Sequence, residues 1–351
     1  MLFFNCGLDE PFGRGASDWP PHTAETLFPV CRNAGCLANC AVIKRGQPCR
    51  FRFSFARLLT YARISLEEYP VKNETMLGEE DGLVMNEEGV GSWTAEKYRQ
   101  FQLYAHQFTM GMKGKWGSLV YLDLYAGSGQ SRLATGEILR GSPLIALSLD
   151  VQFDLYVFCE KNQEKLTALQ ERVNTRFSQA NVRFIQGDCD DPSFQIGDAI
   201  PKHALTLCFV DPYSIDIHFD TIRSLASGRR IDFLCLLASR MDAGRNLQNY
   251  TNEECKKVDM LLGSEKWRDD WEKYKSGVAR EPNFGDFIRI EFARKMESLG
   301  YLPTEPYEMR PIKNEKGVMY HLAVFSKHEK AKRYWEQAST YSQPQRNLSF
   351  D

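Results

Sequence analysis

The sequence predicts an α/β protein built around a doubly wound, mostly parallel sheet. Four short apolar runs, separated by segments of helical periodicity, each end on a carboxylate. In chain order these runs are 119–123, 155–160, 182–188 and 205–211. Ligands of open α/β sheets bind at the carboxyl ends of the strands. Four acidic strand ends therefore predict one polar rim above an apolar sheet.

The first run is the most informative part of the chain. It reads LVYLDLYAGSGQ from 119 to 130, ends on Asp123 and opens into residues 126–129, called the glycine turn below. Small residues in this turn let a ligand approach the backbone closely. A turn built for pyrophosphate would favour backbone donors at a helix N-terminus, whereas an acid at the strand end suits a polar or cationic group. The pattern indicates an adenosine-bearing ligand that need not carry phosphate.

Periodicity predicts the remaining elements. A helix from Thr94 to Met112 carries an aromatic stripe that we expect in the core, and Asn162 is placed to cap a helix after the second strand. The other expected elements are a fifth strand at 231–237, a charged helical insertion at about 240–280, a helix at 283–299, and an antiparallel hairpin with strands near 301–310 and 318–326. Alternation of strands and helices is the order that a parallel sheet requires.

Composition sets few limits on function. The chain has 351 residues, of which 43% are hydrophobic, and a formal net charge of −2, which gives no global argument for nucleic acid. No apolar run approaches the ~20 residues of a membrane span, and the N-terminus lacks a secretory signal pattern. We therefore expect a cytoplasmic protein.

The ten cysteines fall into two main groups. Cys159, Cys208 and Cys235 lie in predicted strands and Cys189 follows one, so we expect them to be reduced and structural. A second group lies in a polar, irregular segment and consists of Cys31, Cys36, Cys40 and Cys49. Zinc binding is one interpretation of this group, but it lacks a clean pair of CxxC units, and free thiols are favoured. We assign no metal.

The first 89 residues differ in character from the rest. Residues 1–89 are interpreted as a poorly ordered extension, with one short amphipathic helix at 51–69 and an acidic linker at 78–89. Residues 90–340 form the predicted domain and 341–351 a tail. One hypothesis is that translation begins at Met76 or Met85, which would make the preceding residues an upstream extension. The alternative is a genuine accessory segment.

The order of these motifs resembles that of a known family. DLYAGSG at 123–129, the acid-ended second strand, GD at 187–188 and DPY at 211–213 resemble class I S-adenosylmethionine-dependent methyltransferases. From about Val90 onward the chain more closely resembles the three-Cys-motif partner protein (TcmP) family. Further stretches that carry this likeness are GSW at 91–93, GSPLIAL at 141–147, RN at 245–246, LLGSEKW at 261–267 and NEKGVMYHLAVFSKH at 314–328.

The resemblance implies a Rossmann-like fold of the class I methyltransferase type, with an antiparallel C-terminal strand, and S-adenosylmethionine as cofactor. In that fold the backbone of Ala126, Gly127, Ser128 and Gly129 would approach the methionyl part of the cofactor. Asp123 would then lie near the methionyl amino group.

Two further acids complete the implied cofactor site. Glu160 is assigned to the ribose hydroxyls, because a carboxylate accepts two hydrogen bonds from a vicinal diol. It follows Gly129 by 31 residues, and an insertion around 135–142 accounts for the extra length. Asp188 resembles the acid that accepts from the adenine amino group. Its alternative role is to cap the turn at 190–192.

The implied catalytic residues are Asp211, Pro212 and Tyr213. In amino-methyltransferases a D/N-P-P-Y/F turn accepts the protons of an exocyclic amine and stacks its aromatic ring on the base, which orients the nitrogen toward the methyl group. This chain has one proline fewer. The alternative is a strand-end turn that caps a helix beginning near Asp216.

Two functions from different classes follow. One is a methyltransferase acting on an amine of nucleic acid, which a group of arginines favours over protein or small-molecule substrates. These arginines are Arg223, Arg229, Arg230, Arg240 and Arg245. The other function is a non-catalytic or cofactor-sensing subunit that works with a three-cysteine-motif, radical-SAM-like partner.

Overall fold

A computed structural model describes residues 76–86, 90–192, 196–252, 254–277 and 281–342. Two sequence predictions, the helix at 51–69 and the cysteine group at 31–49, lie outside these residues. The hypothesis of an upstream extension likewise stays a prediction.

Seven of the described strands form one sheet. The strands are β1 (Leu119–Asp123), β2 (Gln130–Arg132), β3 (Ile138–Arg140), β4 (Leu155–Glu160), β5 (Val182–Gln186), β6 (Leu205–Val210), β7 (Arg230–Leu237), β8 (Arg310–Asn314) and β9 (Gly317–Phe325). The sheet has the order β5-β4-β1-β6-β7-β9-β8, while β2 and β3 pair separately. The first five strands in this order are parallel, and β9 is antiparallel to both β7 and β8. The predicted doubly wound sheet with an antiparallel C-terminal strand is confirmed.

Helices make the crossovers. They are α1 (Trp93–Met112), α2 (Ser142–Leu147), α3 (Gln163–Arg176), α4 (Phe219–Ala226), α5 (Leu247–Thr251), α6 (Lys257–Leu262), α7 (Trp267–Gly277), α8 (Phe284–Ser298) and α9 (Glu329–Ser342), with a 3₁₀ helix at Ile196–Ala199 and a π-helical turn at Ser239–Ala243. The Asn162 side chain accepts from Lys165 N–H at 3.0 Å, so the predicted cap of α3 is confirmed. Helices α5 to α7 form the predicted helical insertion. Among the described helices, none combines the length and apolarity that a bilayer span requires.

Aromatic rings fill the space between α1 and the sheet. The Phe101 ring of α1 lies 4.8 Å from the Phe209 ring of β6 and 5.6 Å from the Tyr121 ring of β1, measured between centroids. Phe101, Tyr104 and Phe108 are fully buried. Tilted ring pairs at such distances stabilise a core beyond the effect of buried area alone. The aromatic stripe of α1 is therefore core, as predicted, and it fixes the helix against β1 and β6.

The C-terminal hairpin differs from its prediction. Its first strand, β8, begins at Arg310 and not near Tyr301. Pro303 and Pro306 lie in the intervening stretch, and proline has no N–H to donate to a strand ladder. The apolar residues of this stretch pack into the core without forming a strand, since Tyr301 and Met309 are both buried.

The described cysteines are free thiols, namely Cys159, Cys189, Cys208, Cys235 and Cys255. All but Cys255 are buried, as predicted. Burial raises the pKa of the Cys159 thiol to about 12, so it stays protonated at neutral pH.

Residues 76–86 form a segment, which we call the strap, that lies across β2 and β3. The N–H of Gly78 donates to Ile138 O at 2.9 Å, and the N–H of Asn86 donates to Gln130 O at 2.8 Å. Met76, at the start of the strap, is buried. Residues 78–86 are therefore not a free linker, because their backbone and acidic side chains bind the domain.

Arg172 of α3 anchors the strap. Its side chain is 1% exposed and donates two hydrogen bonds to the Asp81 carboxylate, both at 2.8 Å. It also donates to the carbonyl oxygens of Val84 at 2.8 Å and Ser128 at 2.6 Å. The hydrogen bonds from Arg172 lower the pKa of Asp81, which keeps the carboxylate charged. One buried side chain thus joins the strap to the glycine turn.

Asp81→Ala tests this anchor. The substitution leaves the Arg172 guanidinium buried without its carboxylate, and removing one partner of a buried pair costs about 3–5 kcal/mol. We expect a loss of that order in the free energy of unfolding, measured by chemical denaturation. Glu80→Ala is the matched control, because Glu80 is 60% exposed and pairs with Arg132 at the surface, where a pair contributes about 0–1 kcal/mol. Equal losses in the two variants would contradict the anchoring role.

Candidate ligand-binding site

A cavity of about 630 Å³ opens at the carboxyl ends of β1, β4 and β6. The strap, α1, the glycine turn, the end of β4 and the loop after β6 all contribute to its walls. Its polar and aromatic lining residues include Asn86, Trp93, Lys97, Tyr98, Glu160, Asp211, Tyr213 and Tyr320. Ligand sites of α/β sheets lie at this edge and have volumes of roughly 300–1,000 Å³.

Backbone geometry explains both glycines of the glycine turn. Gly127 and Gly129 have φ angles of +61° and +84°, which residues with a side chain rarely adopt. Ala126 and Gly127 line the cavity, whereas Ser128 and Gly129 are not among its lining residues. A Cβ at Gly129 would lie 2.7 Å from a leucine side chain of α3. Gly129 therefore serves the packing of the turn against α3.

Asn86 of the strap covers Gly127. The Asn86 Oδ1 atom accepts from Ser128 N–H at 3.1 Å. A Cβ added at Gly127 would lie 2.5 Å from Asn86 Nδ2, so a substitution at Gly127 would displace the strap as well as obstruct a ligand. Asn86 was not predicted as a site residue, because it lies in the stretch interpreted as a linker.

Asp123 lies beneath the glycine turn and is not among the residues that line the cavity. It is fully buried, and its carboxylate accepts from the Tyr121 hydroxyl at 2.8 Å and from Tyr125 N–H at 3.2 Å. Burial raises the pKa of Asp123 to about 7, although hydrogen bonds with Ser142 and Tyr121 oppose the shift. Asp123 therefore orders the backbone that leads from β1 into the turn.

Glu160 ends β4 at the cavity wall. Its Oε2 atom accepts from Gly127 N–H and its Oε1 atom from Asn162 N–H, both at 2.8 Å. The β2–β3 hairpin fills the long connection between Gly129 and β4, as the expected insertion requires. A carboxylate has about four acceptor positions, so Glu160 retains capacity for a ligand that donates hydrogen bonds.

Asp188 lines a second cavity, of about 490 Å³. The two cavities adjoin, since Tyr125 and Lys161 line both. Asp188 Oδ2 lies 2.7 Å from Lys161 Nζ, and Oδ1 accepts from Asp190 N–H at 3.0 Å. The hydrogen bond from Lys161 lowers the pKa of Asp188. Asp188 therefore caps the turn, as its alternative interpretation predicted, and acceptance from an adenine amino group stays a prediction.

Asp188, Cys189 and Asp190 place three ligand-type atoms within 4.8 Å of one another. Burial raises the pKa of the Cys189 thiol above its usual value, which disfavours the thiolate that binds metal. The Asp190 carboxylate already accepts from the Thr221 hydroxyl at 2.6 Å and from His218 N–H at 3.1 Å. The two aspartates are therefore occupied by hydrogen bonds within the protein, and we assign no metal to this group.

Asp211, the acid of the DPY turn, pairs with a lysine that was not predicted as a site residue. Lys97 Nζ of α1 lies 2.6 Å from Asp211 Oδ2, and the two side chains are 10% and 11% exposed. Burial alone would lower the pKa of Lys97, but the Asp211 charge raises it above its usual value. Lys97 is therefore a cation at the cavity wall. It lies four residues before Phe101, and this helical spacing was the available signal for its burial.

Aromatic side chains surround this ion pair. Lys97 Nζ lies 4.6 Å from the centroid of the Tyr98 ring, and the Trp93 and Tyr320 rings lie 6.3 Å apart. Tyr213, from the DPY turn, is 61% exposed at the cavity mouth. One charged pair among flat apolar surfaces is an environment that suits a planar polar group.

The helix-cap alternative for Asp211 does not describe the structure. The next helix, α4, begins at Phe219, with His218 at the cap position. The Asp211 carboxylate binds Lys97 instead, and Pro212 is buried beside it. The turn therefore directs Asp211 to the cavity.

The predicted arginine group does not form one surface. Arg229 and Arg230 lie at the start of β7, at the end of the sheet opposite the cavity, whereas Arg240 follows the strand. Arg229 and Arg240 each pair with an aspartate. These arginines therefore do not form a continuous basic surface that would favour nucleic acid as the substrate.

The strand order, with an antiparallel β9 beside β7, defines a Rossmann-like fold of the class I methyltransferase type. No family model and no curated protein match this chain.

Solved structures similar to this chain include TYW2 from M. jannaschii in complex with AdoMet (13% identity, TM-score 0.33, covering 67% of this chain and 75% of that chain). Magnesium protoporphyrin IX methyltransferase (ChlM) from Synechocystis PCC 6803 with bound SAH has 10% identity and a TM-score of 0.38, covering 66% and 83%. Trm1 from Pyrococcus horikoshii with S-adenosyl-L-methionine has 8% identity and a TM-score of 0.38, covering 75% and 62%. Because these similarities are low, we transfer no residue role from them.

Asp123→Asn tests the buried carboxyl group. Folding raises the pKa of Asp123 from 3.8 to about 7, so the folded protein holds the proton more tightly than the unfolded chain. The stabilising effect is complete below a pH of about 4 and is lost as the pH rises through 7. We therefore expect the Tm of the parent minus that of the variant to fall as the pH rises from about 4 to about 7 and to level off above that.

A second buried acid, Asp232, does not affect the Tm difference between the parent and Asp123→Asn. Burial also raises its pKa to about 7, but it is present in both proteins and cancels in the difference. A Tm difference that does not change with pH would contradict the assignment to Asp123.

Proposed function

We propose that this protein binds S-adenosylmethionine in the 630 Å³ cavity and transfers its methyl group. The observation that carries the proposal is the position of Glu160, at the end of the strand beside β1, with its carboxylate on the N–H of Gly127 at 2.8 Å. A ligand at this edge of the sheet lies against both the glycine turn and the neighbouring strand end. An acid at that point suits the hydroxyl donors of a ribose and repels phosphate.

The two adjoining cavities support a ligand of two parts. The ring of the adenosine moiety would extend toward the 490 Å³ cavity, where Asp188 would accept a hydrogen bond from its amino group. The amino-acid moiety would lie against Ala126 and Gly127, the residues of the glycine turn that line the 630 Å³ cavity. When bound, the cofactor supplies a sulfonium methyl group, and the protein positions an acceptor beside it.

The acceptor is proposed to bind against Lys97, Asp211, Pro212 and Tyr213. An exocyclic amine would donate to the Asp211 carboxylate, while the Lys97 ammonium 2.6 Å away would donate to an adjacent acceptor atom on the same ring. The aromatic walls would hold the plane of that ring, so the contribution of the site is orientation. The amine edge of a nucleobase meets these requirements, and an amine of nucleic acid is the substrate we propose.

Calorimetry with S-adenosylmethionine and S-adenosylhomocysteine tests the cofactor. The parent protein should bind both, and Glu160→Ala should weaken binding by about 1–3 kcal/mol or more, because two ribose hydrogen bonds and the restraint on Gly127 N–H are lost. Glu164→Ala removes an exposed carboxylate from α3 and is the matched control, with the affinity of the parent. Absence of binding to the parent would refute the proposal. Unchanged affinity in Glu160→Ala would remove Glu160 from the site.

Asp211→Asn tests the acceptor site and is preferable to Asp211→Ala, which would leave the Lys97 charge buried without any acceptor. We expect transfer of tritiated methyl groups to fall at least about tenfold, equivalent to ~1.4 kcal/mol, while cofactor affinity changes by less than about twofold. Pools of RNA, DNA, protein and small molecules serve as acceptors. Asp220→Asn, on the exposed face of α4, is the control. Normal turnover in Asp211→Asn would overturn the catalytic assignment.

A cofactor-sensing subunit is the second candidate function. Two observations favour a cofactor-sensing subunit. The Lys97 ammonium offsets the charge of the Asp211 carboxylate. The DPY turn also has one proline fewer than the amino-methyltransferase pattern. In this case the parent would bind cofactor, transfer no methyl group to any pool, and co-purify with a three-cysteine-motif, radical-SAM-like partner only when cofactor is present.

A further inference from the structure

The strap reaches the glycine turn at Asn86, whose backbone is fixed on both sides. The Asn86 N–H donates to Gln130 O at 2.8 Å, and the Asn86 carbonyl accepts from Arg132 N–H at 3.1 Å. A parallel β-bridge to Ser131 accompanies these bonds. The backbone therefore sets the direction in which the Asn86 side chain leaves the strap.

The orientation of the Asn86 amide is also determined. Its Oδ1 atom accepts from Ser128 N–H at 3.1 Å, and because that N–H is a donor, only the oxygen of the amide can face it. The Nδ2 atom therefore points elsewhere and lies beside Gly127 at the cavity wall. In the part of the chain that the structure describes, Nδ2 has no hydrogen-bond acceptor.

The charges of the cavity indicate which ligand group this donor binds. Glu160 and Asp211, the carboxylates of the cavity wall, repel an anion. Two of the three lysines of the same wall, Lys97 and Lys161, are each paired with an aspartate. Ribose hydroxyls can donate to Glu160, whereas the carboxylate of an amino-acid moiety needs donors. We infer that Asn86 is a cofactor-binding residue whose Nδ2 atom donates to the amino-acid carboxylate of the bound cofactor. This inference deepens the proposed function and rests on it.

The anchoring of the strap makes it part of the site. The Arg172 guanidinium binds Asp81 and the Val84 carbonyl on the strap and the Ser128 carbonyl on the glycine turn. The same buried side chain therefore sets the distance between Asn86 and the turn. A chain that begins after Asp81 would lack this anchor and would hold Asn86 less closely over Gly127.

Asn86→Asp separates a direct contact from a structural role. The variant keeps an oxygen that accepts from Ser128 N–H but replaces the donor with an anionic oxygen. S-adenosylhomocysteine carries the amino-acid carboxylate and 5′-methylthioadenosine does not. We expect the Kd for S-adenosylhomocysteine to rise at least about tenfold, because two carboxylates then face each other. The Kd for 5′-methylthioadenosine should change by less than about twofold, since that repulsion is missing.

Asn181→Asp is the matched control, because it introduces the same charge at an exposed residue before β5, at the opposite end of the sheet. Thermal melting of each variant monitors folding. Equal weakening of both ligands by Asn86→Asp, or weakening of neither, would overturn the inference. If this variant does not fold, Asn86→Ala is measured with the same two ligands. The inference then requires a weaker affinity for S-adenosylhomocysteine and an unchanged affinity for 5′-methylthioadenosine. A parent protein that binds neither ligand would instead refute the proposed function.

Discussion

The backbone of Gly127 and Ser128 is held from three directions, and the shape of the cavity depends on this restraint. Glu160 accepts from Gly127 N–H at 2.8 Å, Asn86 accepts from Ser128 N–H at 3.1 Å, and Arg172 donates to Ser128 O at 2.6 Å. These side chains come from β4, the strap and α3. A turn fixed in this way is formed before a ligand arrives, so less ordering free energy opposes binding.

The Lys97–Asp211 pair links the stability of the domain to the chemistry of its cavity. Lys97 lies on α1, whose Phe101 packs against β1 and β6, while Asp211 follows β6 directly. The aromatic core therefore determines the position of the cation relative to the acid. Because both side chains are largely buried, neither partner can be removed without leaving a desolvated charge. Substitutions at this pair are expected to affect both folding and activity, which is why the conservative amide variant is the informative one.

Local pattern predicted the sheet but not the long-range contacts of the site. Continuous apolar runs with acidic ends identified β1, β4 and β6, because burial on both faces of a sheet selects apolar residues at successive positions. The bonds of Arg172 to Asp81 and of Lys97 to Asp211 join residues far apart in the sequence, and no periodicity reports such pairs. The acidic residues 79–81 were predicted to belong to a linker, but each of them forms an ion pair with an arginine. The cavity could therefore be located from the sequence, whereas its cover and its cation could not.

A crystal structure after soaking with S-adenosylhomocysteine would show whether the 630 Å³ cavity binds the cofactor. We expect electron density for the ligand in that cavity, with the ribose hydroxyls on Glu160, the adenine extending toward Asp188, and the amino-acid end beneath Asn86. Absence of density there at saturating concentration would show that this cavity is not the cofactor site. So would density confined to the separate cavity of about 600 Å³ beside Asp198 and Arg229.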